Sequence, residues 1–380
     1  MEHDQEYMQM ALKLAQRGIG SVEPNPAVGC VIVKGNQIIG KGWHRKFGAP
    51  HAEINALEDC KTIGVNPNGA TMYVTLEPCC HHGKTPPCTD AIIEAAPARV
   101  VVATIDPSAH ANGRGLALLQ DAGIKIDLGL YANQARLLNA PFIKFAATGR
   151  CWIILKWAQT IDGKLAWADN TGQRRWISNE LSRKDAHKLR RRAAAVLVGI
   201  NTLIADDPLL TPRPSAGKKP IRIVLDSRLR IPMNCQLLAT TNKNPVMILT
   251  SRQAVESNPQ TAQAVREKGA ELLVFPDVPG QSNLPFLTDE LSSRGITQLL
   301  VEGGPCVIGS FLEEHLADEL CIYVSPKLLG ASGTAEISAP LAHLSEALEM
   351  KYTDIKCFDD NVRLTGLSKT ALKDISLAQS

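Results

Sequence analysis

Aromatic side chains make up only 4% of this 380-residue chain. A protein that stacks single-stranded bases on ring faces needs more of them. No charge of one sign dominates either, since 41 Lys and Arg stand against 38 Asp and Glu, a formal net charge of +3. That balance gives no electrostatic footprint for a phosphate backbone, so no nucleic-acid partner is expected. Nor is there a run of about 20 apolar residues, as a membrane-spanning helix needs, and no membrane partner is expected. The opening "MEHDQEYMQMALKLAQRG" is charged and amphipathic, without the apolar core of a secretion signal. With that reading, ten cysteines are the free thiols of a reducing compartment, and a cytoplasmic location is expected. A G-x-G-x-x-G fingerprint is missing too, which removes an ordinary dinucleotide-binding Rossmann turn.

Cys30, Cys60, Cys151, Cys235, Cys306, Cys321 and Cys357 are scattered and read as small buried apolar residues. The other three crowd into "LEPCCHHGKTPPC", residues 76–88, together with His81 and His82. So many soft donors in one loop point to a metal. A catalytic zinc takes three protein ligands and keeps one position for water. "HAEINAL" supplies the missing imidazole, His51, with Glu53 two residues on. The order H-x-E, then P-C, then a second Cys is the pattern of zinc deaminases, in which the glutamate carries protons and binds no metal. Cys79 directly follows Pro78, so the spacing assigns His51, Cys79 and Cys88 as ligands and Glu53 as the acid/base. Two alternatives stay open: Cys80 or a loop histidine in the shell, or a closed four-ligand structural knot that has no use for Glu53. On an ideal helix, residues two apart diverge by about 200°. His51 and Glu53 therefore share a site only near a helix N-terminus, and Pro50 is consistent with a start there.

Hydrophobic periodicity alternates between helical and strand patterns along the whole chain, an α/β arrangement. "AVGCVIVKGNQIIGKGWH" reads as two strands around Gly35-Asn36, and "YANQARLLNAPFIKFA" as one helix. A break near "ATGRC" separates residues 1–147 from a second alternation over 148–366, and residues 367–380 read as a tail. In the second half, "VEGGPCVIGSFLEEH" is a strand, a glycine pair and a helix, a turn that lets backbone N–H groups approach a phosphate.

Taken together, "PNPAVGCVIV", "GWHRKFGAPHAEINAL" and "TLEPCCHHGKTPPC" resemble the deaminase half of the bifunctional riboflavin-biosynthesis deaminase/reductases. "KWAQTIDGKLA", "RRWIS", "NTLIADDPLLTPR", "VLDSRLR", "VEGGP" and "ELCIYVSPKLLG" resemble the reductase half. The resemblance implies an N-terminal cytidine-deaminase-like α/β/α layer and a C-terminal dihydrofolate-reductase-like α/β domain. It also implies Zn²⁺ and NADPH as cofactors, a pyrimidine ribosylamine phosphate as substrate, and a homo-oligomer, a dimer through the reductase domain. Deamination of the ring would precede reduction of the ribose to a ribityl chain. Matched motif by motif, the cofactor contacts fall on Ala158, Trp176, Thr202, Asp206, Ser227, Gly304, Pro305, Cys306, Val307, Ile308, Gly309 and Ser310. The substrate contacts fall on Arg174, Arg190, Leu210, Arg213 and Glu302. Ser108 stands where the family usually has Asn. Two rivals are a nucleoside or tRNA deaminase with an unrelated second domain, and a zinc-stapled nucleotide-binding regulator. The long cysteine loop and the absence of excess basic charge oppose the first; Glu53 and the Asp/Arg set of the second half oppose the other.

Overall fold

The computed structural model describes residues 2–82, 86–169, 176–214, 219–276, 283–336 and 347–376. The chain divides into two compact units, Met1–Gly149 with Lys373–Ser380, and Arg150–Leu372.

In the first unit the elements run α1 (Glu2–Ala15), β1 (Gly29–Lys34), β2 (Gln37–Trp43), α2 (Ala52–Thr62), β3 (Thr71–Val74), α3 (Cys88–Ala95), β4 (Arg99–Val102), α4 (Arg114–Asp121), β5 (Lys125–Leu128), α5 (Ala132–Leu138) and α6 (Ala140–Thr148). Among the described residues they form a five-stranded sheet in the order β2-β1-β3-β4-β5. Strand β1 is antiparallel to β2 and β3, while β3, β4 and β5 are parallel. Successive side chains of a strand face opposite ways, and β1 uses both faces. Cys30 and Ile32 pack with Ala52 and Ala56 of α2, Ile92 of α3 and Leu119 of α4. Val31 and Val33 pack with Met8, Ala11 and Leu12 of α1 and Ala135 of α5. Helices on both faces explain why β1 is apolar almost throughout.

The single helix expected after Tyr131 is two. The break falls at Asn139, whose side chain accepts from the Ala27 N–H (2.8 Å) and donates to the Ala27 carbonyl (3.0 Å). Pro141 then sits in the first turn of α6, where its missing N–H does no harm. An apolar period continued through the break, so periodicity could not reveal it.

Helix α2 lies hard against β2. A Cβ on Gly42 would come within 2.1 Å of the Ala52 carbonyl oxygen and 2.4 Å of the Ala56 nitrogen. Only glycine permits that approach, and it sets the height of the first turn of α2 above the sheet.

The second unit contains β6 (Trp152–Thr160), β7 (Lys164–Trp167), α7 (Glu180–Arg192), β8 (Ala195–Gly199), α8 (Ile200–Asp206), β9 (Ile221–Leu225), β10 (Val246–Ser251), α9 (Arg252–Ser257), α10 (Pro259–Glu267), β11 (Glu271–Phe275), α11 (Leu284–Ser293), β12 (Gln298–Val301), α12 (Pro305–Glu313), β13 (Glu319–Ser325), β14 (Gly333–Glu336), β15 (Met350–Phe358) and β16 (Asn361–Ser368). Its main sheet has the order β11-β10-β9-β8-β12-β6-β13-β16-β15. From β11 to β13 all neighbours are parallel; β16 and β15 close that side antiparallel. The carboxyl ends of β9, β8, β12 and β6 thus lie side by side, the edge where open α/β sheets bind ligands. Helix α12 is seated there by Val307, against which a Cβ on Gly199 would come to 2.8 Å and one on Gly303 to 2.6 Å.

The tail expected over 367–380 is a correction. Strand β16 runs to Ser368 and a last helix, α13 (Lys369–Ser376), follows. Ala371 and Ile375, one turn apart, are buried at 0% and 5% exposure, so this short stretch has an apolar stripe that its polar composition hides.

Replacing Gly42 with Ala must push α2 off β2. The expected cost is roughly 1–3 kcal/mol of stability, read as a lower urea midpoint for the first unit's unfolding. An unchanged midpoint would show that the helix is not seated on the strand backbone.

Candidate active sites

The first site forms where the loop after β3 meets the starts of α2 and α3. His51 is the N-cap of α2, with extended backbone (φ −73°, ψ 170°) and no capping bond from its side chain. Being outside the helix, its imidazole escapes the divergence that regular helical geometry would impose, and it faces the same way as Glu53. Cys88 is the first residue of α3. The His51 Nδ1 lies 3.4 Å from Cys79 Sγ and 3.3 Å from Cys88 Sγ, and the three ligand atoms fall within 4.8 Å of one another. The Cys88 N–H, at the positive end of α3, also donates to Cys79 Sγ (3.3 Å). Cys80 points elsewhere, its sulfur 3.6 Å from the His110 carbonyl oxygen.

Charge in this site is finely shared. A hydrogen bond from the Cys88 thiol, with help from His51, holds Cys79 down to about 4 against the effect of burial. Cys88, left with the shared proton, is pushed up. Glu53 is 3% exposed; burial first, then the Cys79 charge, raises its carboxyl to about 7, while His51 opposes. A bound dication would pull all of these back down. His44 is the opposite case, lowered chiefly by burial. Its Nδ1 lies 3.1 Å from the Pro50 carbonyl oxygen and so carries the ring proton, leaving Nε2 to accept from Asn25 Nδ2 (3.4 Å). Asn25, His44, His51, Glu53 and Cys79 line a cavity of about 370 Å³, walled further by Glu77, Asp106, Ser108 and His110; Cys88 is fully buried and does not line it. Asn25, Glu77 and Asp106 were not singled out from sequence. The only signal was their nearness to Pro26, Pro78 and Pro107, and proline-flanked polar residues are ordinary in loops.

In the second unit, Trp176, Arg190, Thr202, Asp206, Leu210, Arg213 and Glu302 line one cleft of about 450 Å³. Ala158 on β6, Ser227 just beyond β9 and Gly304–Ser310 at the start of α12 do not line it. They occupy the adjoining carboxyl edge of the same neighbouring strands. Arg174 lies outside the described residues. Arg190 grips Glu302 in a fork, Nε to Oε1 at 2.6 Å and Nη2 to Oε2 at 3.0 Å. Lys156 Nζ stands 3.8 Å from the same carboxylate. Burial alone would raise Glu302, but Arg190 and Lys156 outweigh it and hold the carboxyl at about 2. Leu210, 1% exposed, has φ +54°, a strained backbone for a branched residue and of the kind that collects at ligand sites. Asp207 is a turn anchor, accepting the Gln236 N–H at 2.8 Å. Lys156, Arg183 and His187 also line the cleft and were not foreseen. Lys156 had a signal: it is the lone cation in the otherwise apolar run "WIILKWA".

The family described as RibD C-terminal domain matches residues 151–364, and the cytidine and deoxycytidylate deaminase zinc-binding region matches residues 1–104. The riboflavin biosynthesis protein RibD of Aquifex aeolicus is 44% identical over 330 residues, 87% of this chain and 88% of the relative. The chain belongs to the RibD family. It is a bifunctional deaminase and reductase of riboflavin biosynthesis, with zinc serving the deaminase half and NADPH the reductase half. Among solved structures, RibD of Acinetobacter baumannii aligns with a TM-score of 0.81 at 36% identity, covering 97% of this chain and 99% of that one. A diaminohydroxyphosphoribosylaminopyrimidine deaminase/5-amino-6-(5-phosphoribosylamino)uracil reductase from Thermotoga maritima aligns at 0.80 with 33% identity, 97% and 99% covered. No helix among the described residues of this RibD chain is long and apolar enough to cross a membrane.

The Arg190–Glu302 pair carries a stability consequence. Glu302→Gln leaves a buried guanidinium without its counter-charge, at an expected cost of about 3–5 kcal/mol at neutral pH. Because folding depresses the Glu302 carboxyl, its contribution is full above the ordinary glutamate value and is lost as pH falls towards about 2. Urea unfolding should therefore show the gap between wild type and variant closing on acidification; a gap that stays constant would contradict the pairing.

Proposed function

We propose that His51, Cys79 and Cys88 hold the zinc ion and that Glu53 is the proton carrier of the deaminase half. The observation that carries this reading is the convergence of one imidazole nitrogen and two sulfurs within 4.8 Å of one another, with His51, Cys79 and the buried carboxyl of Glu53 lining one cavity. The donor set fits zinc, with two thiols and an imidazole at metal-binding separation and no fourth protein ligand among them, the composition of an open site. When bound, the ion acidifies a water at its open position. The chain does the rest. Glu53 takes one proton of the attacking water at its carboxyl oxygen and gives it to the ring nitrogen, then passes the second, from the new C–OH, to the amine that leaves as ammonia. His44, with its Nε2 3.4 Å from Asn25 Nδ2, is a wall of the cavity.

In the reductase half, the proposed cofactor contacts are Ala158, Trp176, Thr202, Asp206, Ser227 and Gly304–Ser310; the proposed substrate contacts are Arg190, Leu210, Arg213 and Glu302. The start of α12 fits a phosphate-bearing cofactor. A Cβ built on Gly304 would have only Thr202 Oγ1 near it, at 3.5 Å, and no side chain caps the helix at this N-cap. NADPH, when bound, supplies the hydride that turns the ribosyl group into a ribityl chain. Arg190 is already engaged by Glu302, so the two face the sugar as one ion pair, and Arg213, on the same cleft, is the proposed cation for the substrate's phosphate. In the same reading, residues 1–147 and 148–366 are the two catalytic domains, the substrate is the pyrimidine ribosylamine phosphate, the protein works in the cytoplasm, and it assembles as a dimer through the reductase half. Ten cysteines without a disulfide support the location.

One experiment separates a catalytic metal from a structural one. Glu53→Gln should keep zinc by elemental analysis yet lose ammonia release by about 10²–10⁴-fold, while Cys79→Ser loses the metal and Cys80→Ser retains it. Near-normal ammonia release by the Gln variant would sink the mechanism.

A second comparison concerns the reductase contacts. Arg213→Ala should release ammonia normally but lose about 10- to 150-fold in NADPH oxidation, the worth of one charge-assisted contact. Equal loss of both activities in a folded protein would refute the division of labour.

A further inference from the structure

Glu77 precedes Pro78 and Cys79, is 4% exposed, and has no part in the chemistry described above. Both of its carboxylate oxygens are consumed by backbone. Oε2 accepts from the N–H groups of Asp106 (3.1 Å) and Gly113 (2.9 Å), and Oε1 accepts from Gly115 (2.9 Å). Its own N–H donates to the Thr104 carbonyl (2.9 Å). One side chain thereby fixes both ends of the loop between β4 and α4. Inside that loop, Asp106 Oδ1 accepts from the Ser108 N–H (2.8 Å) and hydroxyl (2.5 Å). Asp106, Ser108 and His110 form the cavity wall that belongs to neither the metal loop nor α2.

We propose that Glu77 is a positioning residue for substrate binding in the deaminase pocket: it ties the wall carrying Asp106 and Ser108 to the loop that carries Cys79. This rests on the reading of that pocket as the deaminase site. Direct contact with the reacting atoms is not its role, because its oxygens already have three donors. A buried carboxylate with three N–H partners is also a rigid anchor, since losing one acceptor strands backbone donors away from water. The wall lies in a different loop, between β4 and α4, from the residues proposed as zinc ligands. A fault at Glu77 therefore shows in how the substrate is held before it shows in metal content or in proton transfer.

The test is Glu77→Gln in the full-length chain, with zinc content, ammonia release and NADPH oxidation measured together. The amide keeps the shape but turns a donor towards an N–H. The expected result is full zinc occupancy, unchanged NADPH oxidation as a folding control, KM for deamination raised roughly ten- to hundredfold, and kcat within about threefold of wild type. A fall in kcat with KM unchanged, a loss of zinc, or no change at all would each overturn the proposal. A double-mutant cycle with Asp106→Asn sharpens it. If Glu77 acts through Asp106, the KM effects are strongly non-additive; simple additivity overturns the proposal. Should the Gln variant fail to fold, Gly115→Ala probes the same contact from the other side. A Cβ there would meet the Pro78 carbonyl oxygen at 2.3 Å and Glu77 Oε1 at 3.2 Å. It must give the same KM-only loss, and a normal KM overturns the proposal. Glu53→Gln run in parallel separates the two levels. If that variant still releases ammonia, the reading of the pocket fails; if it is inactive while Glu77→Gln behaves as wild type, only the role of Glu77 fails.

Discussion

Contact between α2 and β2 through Gly42 is the constraint on which the first unit depends. It brings a helix start down to the sheet, at the end where the loop from β3 emerges. From that one approach follow the extended N-cap at His51, the inward turn of Glu53 and the meeting of both with the cysteine loop. Had the helix begun one residue earlier, His51 would have taken helical angles and pointed away from Glu53. The polar groups brought together are costly to bury without a partner, and a soft dication is the partner whose charge and ligand preference suit them.

The second unit handles buried charge differently. In its cleft Glu302 is neutralised by Arg190 and Lys156 from its own chain. A pre-paired carboxylate and guanidinium hold a dipole already fixed in place. Arg192, two residues on, is spent quite otherwise: both oxygens of Glu319 lie 2.7 Å from its Nη2, and Trp152 Nε1 donates to the same carboxylate at 3.1 Å. Arg190 and Arg192 thus turn to the cleft and to the sheet from opposite sides of α7, as a 100° step per residue requires.

The alternation of strands and helices was legible, because apolar periodicity reports which face is buried. So was the meeting of His51, Cys79 and Cys88, since few uses exist for His, Glu and paired Cys in that order. The reason His51 and Glu53 face one another was only half visible: Pro50 hinted at a helix start, but the cap itself is a backbone fact. Lys156 and Glu77 escaped notice because what defines each is a partner far away in sequence. A lysine in a strand or a glutamate before a proline has many bland explanations. The break at Asn139 and the last helix were missed for a related reason, as a side chain imitating a backbone pair and a stripe of two residues both fall below the resolution of a pattern.

Val307, wedged against Gly199 at the end of β8 and Gly303 just beyond β12, also constrains how this sequence can change over evolutionary time. An alanine at 199 would collide with Cγ2 of Val307, an atom that a smaller residue at 307 would remove. An alanine at 303 would collide with Cβ of Val307 itself, an atom that every residue but glycine possesses. The two glycines therefore have unequal histories open to them. Position 199 can enlarge once 307 has shrunk, so its tolerance is conditional and the order of substitutions matters. Position 303 is freed only if 307 itself becomes glycine, so the turn leading into α12 is held to glycine while any side chain stands at 307.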